Sequence, residues 1–284
     1  MKEIYLNSRK YQLPQSWQEV DTDLLPQLLV FLYVHPESGA TYHEILRLVL
    51  GYSPAEWQKL MRHYFAPTLQ DIQREANATV LQEVLQLISW MWTHELTKKP
   101  FEHVLIGGIP HLLPDEQFRT VSFGELSDAY IHSRAFIEQL VEGDERLNYL
   151  MATICRPERA GDYENDLGWN GDARQPYNEH IAKARAKDWE NVPYETRIIV
   201  LMYFLGTLKT FLGMFDIWQG DGPASEEEYP GQSWIKNQHL LAEKHIFGGM
   251  APTKAANVHE VFSFLEENSK DIKRKIEQDK ANQR

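Results

Sequence analysis

The residues best equipped for chemistry lie between positions 156 and 169. There Arg156, Glu158, Arg159, Asp162, Tyr163, Glu164, Asp166 and Trp169 mix both charge signs with aromatic rings. Carboxylates beside guanidinium groups could run acid–base chemistry on a bound substrate, which makes a hydrolase or transferase one reading of this stretch. Tryptophan, tyrosine and arginine also supply most of the binding energy at protein interfaces, so partner recognition is a second reading. A salt-bridged surface loop is the third. Spacing alone leaves all three open.

Elsewhere the patterns that chemistry requires are missing. Two helical ligands facing one metal ion stand three or four residues apart, and a zinc peptidase helix needs His-Glu-x-x-His. His43-Glu44 and His94-Glu95 have no second histidine, and His239 and His245 are too far apart to share a helix face. Neither glycine-rich phosphate cradle is present, and Gly220-Asp221-Gly222 sits among acids that repel phosphates. No Gly-x-Ser-x-Gly elbow occurs. Cys155 follows the apolar Ala152-Thr153-Ile154 and reads as a small buried residue; the arginine of a phosphatase loop would stand where Gly161 is. The expectation is therefore no catalytic residue, no metal, no cofactor and no enzyme activity. What remains is a set of candidate partner-binding residues: Arg156, Arg159, Tyr163 and Trp169, joined by Trp218 and Trp234.

Charge narrows the partners. The 284 residues carry a net charge of -12, which opposes broad contact with phosphate backbones, so nucleic acid is not expected. A local exception is the tail 269–284, where six basic residues face three acidic ones, as in a solvated helix end or a frayed terminus. The single cysteine excludes an intrachain disulfide and suits a reducing compartment. The opening residues lack an apolar signal-peptide core. The longest apolar stretch, 198–208, is interrupted by Gly206, stopped by Lys209 and too short for a membrane span. A cytoplasmic protein with no membrane contact is expected, with self-association left open.

The elements that must hold these residues read as helices. Four capping boxes recur in the first half, in which a hydroxyl accepts from a first-turn N–H and a glutamate reaches back to the cap. They are Ser16-Trp17-Gln18-Glu19, Thr41-Tyr42-His43-Glu44, Ser53-Pro54-Ala55-Glu56 and Ser122-Phe123-Gly124-Glu125. Ahead of them, Ile4-Tyr5-Leu6 and Tyr11-Gln12-Leu13 flank a polar turn, a small β-hairpin within residues 1–14. Residues 68–96 carry Leu69, Ile72, Ala76, Val80, Val84, Leu87 and Met91 at helical spacing and predict the longest helix. Residues 105–121, with Gly107-Gly108, Pro110 and Pro114, read as a connector. A short helix over 145–155 stops at Pro157, and 158–175 reads as a loop. The densest apolar run, 193–215, is expected at the centre of the core. Residues 216–231 are rich in glycine, proline and acid and read as an exposed flexible loop, followed by helices near 234–247 and 258–268. The fold class is a mainly α multi-helix bundle with a small N-terminal hairpin, in a single domain over residues 1–284.

Three stretches resemble a group of phage and prophage proteins similar to tail-assembly chaperones or tail-module components. They are the opening Tyr11-Gln12-Leu13-Pro14-Gln15-Ser16-Trp17-Gln18-Glu19-Val20, the helix end Leu150-Met151-Ala152-Thr153-Ile154-Cys155-Arg156-Pro157, and the tryptophan-led closing helices from Ser233-Trp234-Ile235 to Val261-Phe262-Ser263-Phe264-Leu265. Cys155 stands where that group has an aromatic residue. The resemblance implies a helical, non-enzymatic assembly factor in a bacterial cytoplasm. Its partner would be a tape-measure or other tail protein; a structural subunit that stays in the virion is the alternative.

Overall fold

A computed structural model of the chain describes residues 1–6, 9–167, 169–218 and 227–282, the Trp218 side chain excepted. The described residues form a mostly helical fold with a small N-terminal antiparallel hairpin. Residue contacts group the chain into two compact units, Met1–Pro100 and Phe101–Arg284, and each is taken by itself.

The first unit opens with the hairpin of β1 (Lys2–Leu6) and β2 (Arg9–Leu13), in which Lys2 pairs with Leu13 and Leu6 with Arg9. Alternation buries Tyr11 and Leu13 and leaves Tyr5 in solvent. Helices α1 (Leu25–Tyr33), α2 (Gly39–Val49), α3 (Pro54–Tyr64), α4 (Asp71–Gln86) and the single turn α5 (Trp90–Thr93) follow. Two tryptophans tie the ends of this unit together. Trp17 and Trp90 meet edge to face with centroids 5.0 Å apart. The Trp17 indole N–H donates to the His94 carbonyl at 3.1 Å, and that of Trp90 to the Pro14 carbonyl at 3.0 Å.

The expected long helix over 68–96 is broken. After Val84 the backbone bonds shorten to the three-residue kind: Leu87 to Val84, Ile88 to Leu85 and Ser89 to Gln86, with the Ser89 hydroxyl on the Gln86 carbonyl at 2.8 Å. The tightened turn brings Ile88 and Met91 fully into the core and Trp90 to its partner. The N-terminal part of the expected apolar stripe faces water instead, with Ile72 71% and Val80 49% exposed.

The second unit adds strands that the sequence reading missed. Residues 105–121 do not form a plain connector: β3 (His103–Ile106) and β4 (Ile109–Leu112) make a hairpin around Gly107 and Gly108. Both glycines take positive φ, +57° and +82°, as the tight mirror-image turn of a hairpin demands. A two-residue strand β5 (Arg156–Pro157) pairs with β4 and closes a three-stranded sheet. Helices α6 (Phe123–Ile137), α7 (Glu145–Ile154) and α8 (Glu179–Arg185) surround the stretch 156–175 in sequence. The long α9 (Tyr194–Leu212) is the central core element of this unit, burying Ile199, Val200, Tyr203, Phe204 and Phe211, as its density of apolar residues predicts.

Helices α10 (Gln232–Glu243), α11 (Met250–Ala255) and α12 (Val258–Asn282) end the chain. Helix α10 starts from Gly231, which takes φ +78° and lies so close to Ile131 that a Cβ would collide with it. The basic tail continues α12 as regular helix to Asn282, exposed from Asp271 onward. Residues 219–226 of the acidic stretch 216–231 lie outside the described residues. No helix among the described residues is long and apolar enough to cross a membrane.

Of the four capping boxes, that of Ser53 and Glu56 is complete. Helix α2 begins three residues before Thr41, on Ser38, and Ser16 opens only a single 3-10 turn without a side-chain cap. Ser53→Ala should therefore lower stability by about 1 kcal/mol, while Ser16→Ala leaves it unchanged. The urea midpoint followed by circular dichroism measures both, and equal effects would contradict the cap assignment.

Candidate functional site

The loop 156–175 is fixed from beneath by four charged side chains. Glu125 lies in the first turn of α6, Arg156 on β5, and Asp172 and Arg174 on the returning strand-like segment. All four are buried, between 1% and 6% exposed. Glu125 Oε1 lies 2.7 Å from Arg156 Nη1 in an ion pair and accepts from Arg174 Nη1 at 2.9 Å. Asp172 takes Arg174 in a two-pronged bond, Nε at 2.9 Å and Nη2 at 3.0 Å, and Arg156 Nη2 at 3.0 Å. Two cations face two anions, so the group is neutral, and its remaining donors reach backbone. Arg156 binds the carbonyls of Thr153 at 3.0 Å and Gln175 at 2.6 Å, and Arg174 that of Ile154 at 2.8 Å. Burial disfavours the charge on Arg174, yet Glu125 and Asp172 outweigh it and hold its pKa above the ordinary range.

This cluster explains why the Ser122 box is only half formed. The Ser122 hydroxyl accepts from the Glu125 N–H at 3.2 Å, but the Glu125 carboxylate points inward to the arginines rather than back to the cap. It also sets the backbone of the loop. Gln175 N–H donates to the Pro157 carbonyl and Arg159 N–H to that of Ala173, each at 2.8 Å, so the two limbs pair across a bridge between Glu158 and Arg174.

The structure brings some of the expected binding residues to the surface and takes others out of reach. Arg159, Tyr163 and Trp169 are half-buried at the loop surface. Arg159 Nε donates to the Arg174 carbonyl at 2.9 Å, the Tyr163 hydroxyl to Glu158 at 2.9 Å, and Trp169 Nε1 to the Asp172 carbonyl at 3.2 Å, with the Tyr163 and Trp169 rings 6.0 Å apart. Arg156 and Trp234 are corrected. Arg156 is 3% exposed inside the ion cluster; Trp234 is 2% exposed, stacked 4.8 Å from Tyr130 and packed on Phe262. Neither presents a surface to a partner. The Trp218 side chain lies outside the described residues.

Cys155, beside the cluster, is fully buried, and burial pushes its thiol up to about 12. Among the described residues no group of three or more His, Cys, Asp or Glu side chains is arranged to hold a metal ion.

Sequence reasoning missed Glu125, Asp172 and Arg174. It also missed a polar cavity of about 320 Å³ between α6, α7 and the start of α8. Tyr177 forms one wall: its ring lies 5.9 Å from the Arg156 guanidinium and its hydroxyl donates to Asp128 at 2.5 Å. Burial raises the Asp128 pKa, against the hydrogen bond from Tyr177. His132, one turn further along α6, is pushed down to about 4 by burial, with Arg146 adding to the effect. In the first unit an apolar depression of about 190 Å³ is lined by Tyr52, Trp57, Met61, Tyr64, Val80 and Leu81.

No family model, curated protein or solved structure matches the chain. Assignment to phage tail assembly, with its chaperone role, tape-measure partner and virion association, stood on three short stretches alone. With no match in any of the three comparisons, that assignment is withdrawn.

Removing one member of a buried ion cluster leaves an uncompensated charge, so Glu125→Gln should cost about 3–5 kcal/mol. It should also speed amide exchange at Arg159 and Gln175; unchanged exchange there would show that the loop does not depend on the cluster. His132 gives a pH signature. An unfolded imidazole titrates near 6.5 and the folded one near 4, so the stability held by the neutral ring is full above the unfolded value and lost as pH falls toward the folded one. The loss is on the order of 3 kcal/mol. His132→Asn should flatten the fall in melting temperature across that window, and an identical profile would contradict it.

Proposed function

We propose that this chain is a non-enzymatic binding protein that offers its acidic loop to a basic segment of a partner protein. The observation that carries this reading is the composition of a loop whose two limbs are paired at its base. Leu167 is fully exposed in the same stretch as the Tyr163–Trp169 ring pair, and Glu158, Asp162, Glu164 and Asp166 are all exposed around them. A lone exposed leucine is ordinary on a protein surface. Its company is not: an apolar and aromatic centre rimmed by charge of one sign has the anatomy of a binding patch.

Within residues 158–169 the four rim carboxylates are accompanied by one basic residue, Arg159, whose Nε already serves the Arg174 carbonyl. The patch thus favours lysine- and arginine-bearing partners, whose approach it steers over the range of a Debye length. Pre-fixing the loop lowers the entropy cost of binding, since the backbone pairings across residues 157–175 exist before the partner arrives. The reverse arrangement for catalysis is poorly supplied, because the guanidinium best placed in sequence, Arg156, is committed to buried carboxylates.

The test is affinity capture of the tagged chain from its native host, with partners identified by mass spectrometry, beside a variant carrying Glu164→Lys, Asp166→Lys and Leu167→Ser. The expected result is a stoichiometric protein with a basic segment, lost with the variant and weakened by salt, while circular dichroism of the variant is unchanged. A partner that the variant retains overturns the role of the loop. Recovery of the chain alone, or only with further copies of itself, overturns the hetero-partner reading.

A further inference from the structure

The polar cavity beside the loop is lined by a cation, Arg146, that forms no ion pair among the described residues. Arg146 stands in the first turn of α7, where the helix dipole already disfavours positive charge. Its Nε is buried and has no acceptor among the described residues. The contrast with neighbouring arginines is in ion pairing: Arg134 is paired with Glu138, and Arg197, whose Nε likewise has no acceptor among the described residues, binds Asp144 at 3.0 Å and Asn148 at 2.7 Å. Among the described residues Arg146 meets the face of Tyr149, 5.8 Å from its guanidinium carbon.

The two carboxylates that line the cavity have other partners: Asp128 accepts from Tyr177 at 2.5 Å and Glu179 is bound by Lys254 at 2.9 Å, while Glu145, next to Arg146 in sequence, accepts from the Tyr149 hydroxyl at 2.8 Å. Lys183 lines the same cavity from α8 at its exposed side and adds a second positive charge. His132, whose ring lies 5.2 Å from that of Tyr149, contributes a buried Nδ1 that also lacks a partner. Two orphaned buried nitrogens on facing helices, in a cavity roomy enough for a small molecule, describe a site built for a group not belonging to the chain.

We propose that this cavity binds a small ligand through an oxyanion, a carboxylate or a phosphate, received by the Arg146 guanidinium with Lys183 at the rim. His132 supplies a further polar contact, and Tyr149 keeps the guanidinium in place beneath the anion. An arginine in such a position engages planar or tetrahedral oxyanions with paired N–H donors, which a lysine alone does not. The site is separate from the acidic loop patch and does not require it.

Inorganic phosphate and succinate are the probes, titrated against the full chain by thermal unfolding at matched ionic strength. The expected result is a saturable rise in melting temperature with one or both; phosphate alone assigns the phosphate class and succinate alone the carboxylate class. Arg146→Gln should weaken the effective probe roughly ten-fold or more, while Lys273→Gln on the exposed tail leaves it intact. Nuclear magnetic resonance of the native chain gives a second reading: the bound anion should raise the His132 pKa from about 4. Saturable binding that R146Q retains in full, binding that leaves His132 unmoved, or the absence of saturable stabilisation by either probe would each overturn the proposal.

Discussion

Glu125, Arg156, Asp172 and Arg174 form a closed electrostatic unit in the interior of the Phe101–Arg284 part of the chain, and the geometry of the 156–175 loop follows from that unit. Desolvating four charges is costly, and mutual attraction offsets the cost only when every donor and acceptor is satisfied. Here charges alternate, one aspartate receives a two-pronged arginine, and the spare N–H groups end on the carbonyls of Thr153, Ile154 and Gln175. The consequence is positional. The end of α7, strand β5, the start of α6 and the returning limb of the loop are all held at one point.

Two surfaces depend on that point in different ways. Above it, the loop presents Tyr163, Leu167 and Trp169 with a rim of carboxylates, and the backbone pairing from Pro157 to Gln175 sets their stance. To one side, the Arg156 guanidinium lies against the ring of Tyr177, whose hydroxyl holds Asp128 at the edge of the polar cavity. The same arginine that looked available for chemistry is thus committed to Glu125 and Asp172 inside the fold.

The Met1–Pro100 unit is organised by apolar contact. Its two indoles, Trp17 and Trp90, lie edge to face and each donates to a distant carbonyl, which fixes the chain after the hairpin against the last helical turn. Meeting that geometry requires α4 to end early, and the turn through Ile88 turns an apparently continuous helix into two pieces. The upstream residues Ile72 and Val80 then face solvent although their spacing is that of a core stripe.

By itself, the sequence determined the helical class, the N-terminal hairpin, the helices of residues 123–154 and the buried run of α9, because these follow from local capping groups and from apolar periodicity. It also located the stretch 156–169 as the place where charge and aromatic residues concentrate. Only the tertiary structure decided what those residues do. Glu125 reads as a cap in sequence, yet across 49 residues it meets Arg174, and no local pattern carries a contact at that separation. The strands β3 to β5 were equally hidden, since β5 is two residues long and exists only where β4 passes beside it. Arg146 is the plainest case: that it forms no ion pair among the described residues goes with Asp128 and Glu179 meeting Tyr177 and Lys254, contacts fixed by packing and not by spacing along the chain.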